Sequence, residues 1–224
     1  MAGEYALTPS SLTDALYESL RMRIINGEIK GGERLTEARV SSEYSVARPT
    51  AKACLERLTA EGLLRRTAHK TAMVPIFDSD ELTDLFIARE AVETAAVTRL
   101  AVHSHLPEGA VHAQGAIELA AERLSFPDQV AADIAFHTAL VEAAGSTRLA
   151  KMHGLIMGEI HLTMGQFQAH RSTSPGTVVS EHAVILEAIA AGSQEAAAAA
   201  LTAHLDHARD RLVGQVQRAA AAKE

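Results

Sequence analysis

The stretch "DIAFHTAL", residues 133–140, sets Asp133 and His137 four apart inside an Ala/Leu-rich run. On a helix, that spacing brings both side chains out of the same face, one turn apart. Carboxylate oxygens and imidazole nitrogens are the donors a divalent cation takes. Two further imidazoles, His182 in "SEHAVILEAI" and His204 in "LTAHLDHARD", lie on later segments of helical period. Three helices can therefore direct one carboxylate and three imidazoles at one point inside a bundle. Such a set suits zinc first, then nickel, manganese or iron, and leaves coordination positions for water or a ligand. With eleven His in the chain, spacing alone admits His153, His161, His170 and His207 as ligands too, or a group of hydrogen-bonded core histidines.

The elements that must position these residues read as helices. At 224 residues the chain can bury one large core or two ordinary ones, and it has 47% hydrophobic residues with no Trp. From residue 80 onward, helical periods run over roughly 80–103, 107–124, 127–143, 147–169, 177–191 and 194–218. They are broken by "HSHLPEG", "SFPD", "AAGS", "HRSTSPG" and "AAGSQ". Short breaks between long helices predict an antiparallel all-α bundle. "PIFDSDELTDL" reads as a linker in which Asp78, Ser79 or Asp80 caps the next helix.

The first part of the chain has a different character. Residues 1–75 carry 11 Lys+Arg against 9 Asp+Glu, whereas residues 76–224 carry 10 against 19. Such asymmetry is expected when only one part meets a polyanion. "SSLTDALYESLRMRIINGEI" aligns Leu12, Leu16, Leu20 and Ile24 on one stripe, capped at Ser10 or Ser11 and stopped at Asn26-Gly27. A short helix capped by Thr36 follows, then a third from about Arg48 to Ala60, with Pro49 in its first turn. "LLRR" and "AMVP" flank the polar turn "TAHKT" as a small β-hairpin. Helix, helix, turn, helix and hairpin make a winged helix-turn-helix, so the fold class is mainly α with one small wing. In such a module the start of the recognition helix enters the major groove of DNA. That start carries Arg48, Thr50 and Lys52, with Arg39 on the preceding helix and His69 and Lys70 at the wing tip; all are candidates for base edges or phosphates. The domains expected are 8–75 for DNA binding, 76–80 as linker and 81–218 for the helical bundle.

"LYESLRMRIINGEIKGGERLTEARVSSEYSVARPTAKACLERLTAEGLL" resembles the GntR family of bacterial transcription regulators, with similarity from about Ser11 to Pro75. Two features depart from that family. Ala47-Arg48-Pro49-Thr50-Ala51-Lys52 stands where Ser/Thr-Arg-Thr-Pro-Val-Arg is usual, and the wing "AHKTAMV" has no Gly. Residues 80–215 resemble the FCD effector domain, in its shorter six-helix, FadR-like form, through "DLFIAREAVE", "DIAFHTALVEAAGS", "EHAVILEAIAAG" and "AAAALTAHL". Ser146 replaces that domain's usual Asn. The resemblance implies that Asp133, His137, His182 and His204 are the metal ligands and that Arg89 points into an effector cavity. An Arg fork suits a carboxylate, although Arg89 also stands one turn from Glu93. On the 147–169 helix the resembling proteins carry basic residues; this chain has His161, Gln166 and Gln168, which leaves His161 as a further effector contact.

The function this implies is a homodimeric, ligand-responsive regulator, a repressor in the resembling family. It would bind double-stranded operator DNA with half-sites ~34 Å apart, and its effector would be a small carboxylate-containing metabolite. A sensor of the metal ion itself is the alternative, and a metal-dependent hydrolytic enzyme ranks below both. No general base is evident beside the ligands, so catalysis is not expected. One cysteine, Cys54, excludes an intramolecular disulfide, and no apolar run reaches the ~20 residues of a membrane span. With no N-terminal signal pattern, the expected location is the cytoplasm, with no membrane partner.

Overall fold

The structure is a computed structural model that describes residues 12–66, 71–167 and 175–221. The chain divides into two compact units, Met1–Ile76 and Phe77–Glu224.

In the first unit α1 (Leu12–Ile25), α2 (Glu37–Tyr44) and α3 (Arg48–Ala60) surround a core of Leu16, Leu20, Ile24, Val40, Leu55 and Leu58. The expected apolar stripe on α1 forms from Leu16 onward. Leu12, on the first turn, is exposed, and Tyr17 takes part in the buried face instead. Tyr17 also anchors α1 to α3: its hydroxyl donates to Glu61, and the Arg57 guanidinium lies 3.6 Å over its ring while pairing with Asp14 at 3.0 Å. Thr36 caps α2 through its hydroxyl, which accepts from the Arg39 amide at 3.1 Å. Ala47 gives α3 no side-chain cap.

The wing is a three-stranded sheet, not a bare hairpin. β2 (Arg65–Arg66) and β3 (Ala72–Met73) pair antiparallel as expected. A further strand, β1 (Arg34–Leu35), pairs with the other edge of β3, with Leu35 opposite Ala72. Two residues after a Gly-Gly turn carry no period that a sequence can register; the pairing is decided by buried Leu35 and by Val74, whose amide donates to the Glu33 carbonyl. Ser10, Ser11, His69 and Lys70 lie outside the described residues.

The second unit is a helical bundle of α4 (Ser79–Val102), α5 (Glu108–Glu122), α6 (Phe126–Ala143), α7 (Thr147–Phe167), α8 (Pro175–Ala190) and α9 (Gln194–Ala221). Of the three proposed caps Asp78 is the one used, in a full capping box with Glu81, so Ser79 and Asp80 form the first helical turn. α4 is the central helix and packs on α6, α7, α8 and α9. Its buried face is Leu82, Phe86, Val92, Ala96 and Leu100, interrupted by Arg89 and Glu93. Arg99 donates from Nε to the Ala144 carbonyl at 2.7 Å, which satisfies the end of α6. Gly192 turns the chain from α8 to α9 at φ +72°, where a Cβ would lie 2.9 Å from the Ser104 hydroxyl. Among the described residues no helix is long and apolar enough to cross a membrane.

Leu20 is completely enclosed. Leu20→Ala should therefore destabilise the first unit by ~2–5 kcal/mol, read as an earlier transition in urea unfolding; an unshifted midpoint would contradict this packing.

A buried Asp/His centre and an exposed basic helix

Three helices of the bundle contribute four polar side chains to one interior point. Asp133 and His137 leave the same face of α6, His182 comes from α8 and His204 from α9, and one ligand atom from each lies within 4.8 Å of all the others. All four side chains are buried. His137 Nε2 and His204 Nε2 are 3.2 Å apart, and His182 Nε2 lies 3.4 Å from His204 Nε2. Asp133 Oδ1 is 3.4 Å from His182 Nε2 and 4.0 Å from His137 Nε2.

The protons on these rings are fixed by their other nitrogens. His137 donates from Nδ1 to Glu93 Oε2 at 2.7 Å, and His204 donates from Nδ1 to Glu181 Oε2 at 2.8 Å. Ionised carboxylates only accept, so each bond requires the proton on Nδ1 and leaves a bare lone pair on Nε2 in the neutral ring. Two lone pairs then face each other across 3.2 Å, a repulsive arrangement unless a positive centre lies between them. Zinc–nitrogen bonds of about 2.0–2.1 Å at tetrahedral angles separate neighbouring donors by ~3.3 Å, so the spacing fits such an ion. His182 differs from the other two. Its ring stacks on Phe136 at 3.9 Å, and its Nδ1 has no hydrogen-bond partner among the described residues.

The electrostatics follow from burial. Desolvation pushes His137 down to about 4, over the opposing pull of Glu93. It likewise pushes His204 down to about 3, against the hydrogen bond to Glu181. Glu181 is driven up by its own burial, but the bonds from His204 and His207 and the charge of Arg211 bring it down to about 2. Glu93 is fully buried; Arg89, His137 and His153 together still hold its carboxyl well below the usual range.

Around this centre, Arg89 donates from Nε to Glu93 Oε1 at 2.7 Å, so the expected one-turn ion pair is present. Its Nη1 and Nη2 are buried with no acceptor among the described residues. Of the other candidate histidines, His153 donates from Nε2 to Glu93 at 3.0 Å and does not join the four. His207 is largely exposed on α9 and bonds Glu181, while His161 is half-buried on α7, outside the group of four. His170 and Gln168 fall outside the described residues, as does the side chain of Gln166. From the sequence Glu93 reads only as a partner for Arg89, and Glu181 carries no assignment. The available signal was the acidic residue beside His182 together with His204, His207 and Arg211 at helical spacing on α9.

In the first unit, Arg48 and Lys52 are exposed at the start of α3, and Thr50 is half-buried. Lys52 and Arg66 both approach Glu56, at 3.9 and 3.8 Å. Arg66, which was not singled out from the sequence, lines a cleft with Arg48 beside β3. Arg39 is held between Glu33 at 3.0 Å and Glu43 at 3.7 Å.

Below pH 6.5 the unfolded chain takes up protons that the buried rings of His137 and His204 resist until about 4 and about 3. The unfolded state thus binds more protons across that window, and stability must fall as pH falls. Thermal unfolding of chelator-treated protein should show a melting temperature dropping steadily from pH 6.5 towards pH 4; a flat profile would contradict the burial of neutral rings.

The FCD domain model matches residues 84–207, and the model for bacterial regulatory proteins of the gntR family matches residues 12–74. The HTH-type transcriptional regulator LutR of Bacillus subtilis is 27% identical over 216 residues, covering 85% of this chain and 96% of that protein. An HTH-type transcriptional regulator in an unstable DNA locus of Streptomyces ambofaciens is 26% identical over 202 residues, covering 85% and 80%. The crystal structure of a transcriptional regulator GntR from Rhodococcus sp. RHA1 superposes with a TM-score of 0.76 at 26% identity, covering 92% of this chain and 99% of that one. With regulators rather than enzymes as its relatives, and with both parts matched in order, the chain belongs to the bacterial gntR family of transcription regulators that carry an FCD domain.

Proposed function

We propose that this regulator is a cytoplasmic homodimeric repressor whose bundle holds a divalent cation, zinc first, and a small organic acid that controls operator binding. Asp133, His137, His182 and His204 hold the ion, and the bound ion supplies a positive centre with free coordination positions for a ligand oxygen. The observation that carries this reading is the pair of Nδ1 protons committed to Glu93 and Glu181, which aims bare Nε2 lone pairs at one point. Arg89 supplies the second contact for the acid. Its two terminal nitrogens are buried donors without acceptors among the described residues, and a carboxylate matches their planar fork. Those orphaned donors favour an acid sensor over a sensor of the metal alone, which gives them no role. His161 is a further contact from α7.

At the DNA, Arg48, Thr50 and Lys52 meet the major groove, with Arg39, His69 and Lys70 on the flanks. The uncapped start of α3 offers backbone N–H groups to a phosphate. Dimerisation is supported by apolar side chains exposed on the adjoining helices α4 and α7, namely Ile87, Met152 and Leu155. Binding of the acid shifts the dimer between arrangements with different half-site spacing. The shift is limited by the acid's differential affinity for the two arrangements.

Two measurements test this. His182→Ala should lower metal content, by mass spectrometry, well below one ion per subunit and lower the melting temperature; an unchanged content removes His182 from the ligands. Lys52→Ala should reduce the salt-dependence slope on the regulator's own upstream DNA by about 0.9. An unaltered slope and affinity would take Lys52 off the DNA.

A further inference from the structure

Glu93 occupies a position no other described carboxylate shares. Its Oε1 accepts from Arg89 Nε at 2.7 Å and from His153 Nε2 at 3.0 Å, and its Oε2 accepts from His137 Nδ1 at 2.7 Å. One carboxylate thus touches both the arginine proposed for the acid and a ligand proposed for the ion. It uses one edge of the guanidinium and leaves Nη1 and Nη2, both buried, for a single outside acceptor group.

The buried charges can be counted. Among the described residues the fully buried charged side chains are Arg89, Glu93 and Asp133, which sum to one negative charge when the imidazoles are neutral; Glu181, part-buried behind His204, is offset by Arg211 at 3.9 Å. A divalent cation turns that into one positive charge. One carboxylate group brings the enclosed set to neutrality. A second would be buried opposite no remaining cation, and an unpaired buried charge is strongly disfavoured. Without Glu93 the same cluster would carry two positive charges and would suit a dianion.

We infer that the effector is a monocarboxylate whose remaining donors are uncharged, and that Glu93 is the residue setting this limit. This rests on the proposed reading of the centre as a cation and acid site. It narrows the acid from carboxylates in general to one charge class. Glu93 acts through Arg89 and His137 and is a specificity-determining, positioning residue.

The test is calorimetric titration of the zinc-loaded full-length protein at pH 8 with four-carbon pairs, butyrate against succinate and 2-hydroxybutyrate against malate. The monoanion of at least one pair should bind tenfold or more tightly than its dianion. Glu93→Gln, which keeps the shape and removes the charge, should shrink that ratio at least tenfold. Glu93→Asp, which keeps the charge, should preserve the preference. Tighter binding of the dianions to the wild type overturns the inference and leaves the cation and acid reading standing. An unchanged ratio in Glu93→Gln overturns the role of Glu93. If zinc loads and no carboxylate of either class binds, the acid reading fails and the inference fails with it. The wild-type ratio decides the ligand class by itself, so refutation does not depend on either variant folding.

Discussion

Two carboxylates, Glu93 and Glu181, each claim an Nδ1 proton inside the bundle, and the polar interior depends on that claim. Were either ring reversed, an N–H would point at the convergence of Asp133, His182 and its neighbour, and the donors would no longer form one set. The low dielectric of the interior makes the alternative costly at Glu93, whose buried Oε2 would face a bare ring nitrogen in place of its donor. Burial holds these two rings neutral, and Glu93 and Glu181, outside the group of four, orient them. His182 is the exception, oriented by stacking on Phe136 instead of by a carboxylate.

Placing Arg89 and Glu93 on the central helix α4 has a second effect. α4 packs on α6, α7, α8 and α9, which carry every other polar group of the centre. A change of partner at Arg89 is felt at Glu93, and through Glu93 at His137 on α6 and His153 on α7. Ion and acid, in the proposed reading, thus meet in one hydrogen-bonded network. Linkage then requires that each alter the affinity of the other by the same factor.

The DNA-reading unit follows a different electrostatic pattern. Its cations sit beside acidic neighbours: Lys52 and Arg66 share Glu56, and Arg39 lies between Glu33 and Glu43. These are exposed pairs of little intrinsic strength. They keep long side chains oriented, and a phosphate can replace the carboxylate at small cost. That pattern explains how residues 1–75 can serve a polyanion with only two more basic than acidic residues.

The sequence alone determined the order of the helices, because helix breaks, the Thr36 cap, the polar run Asp78–Asp80 and the Pro49 start are local signals that neighbouring residues cannot disguise. It placed Asp133 and His137 on one face by the same local logic. Spacing left eight candidate ligands, and only the family resemblance separated four of them from His153, His161, His170 and His207. Tertiary structure decided everything that joins residues distant in the chain. The Nδ1 partners of His137 and His204 lie 44 and 23 positions away, and His153 reaches Glu93 across 60. β1 likewise exists only because β3 passes beside it. A ring nitrogen has no periodicity of its own, and which proton it keeps is settled only when packing brings an acceptor to it.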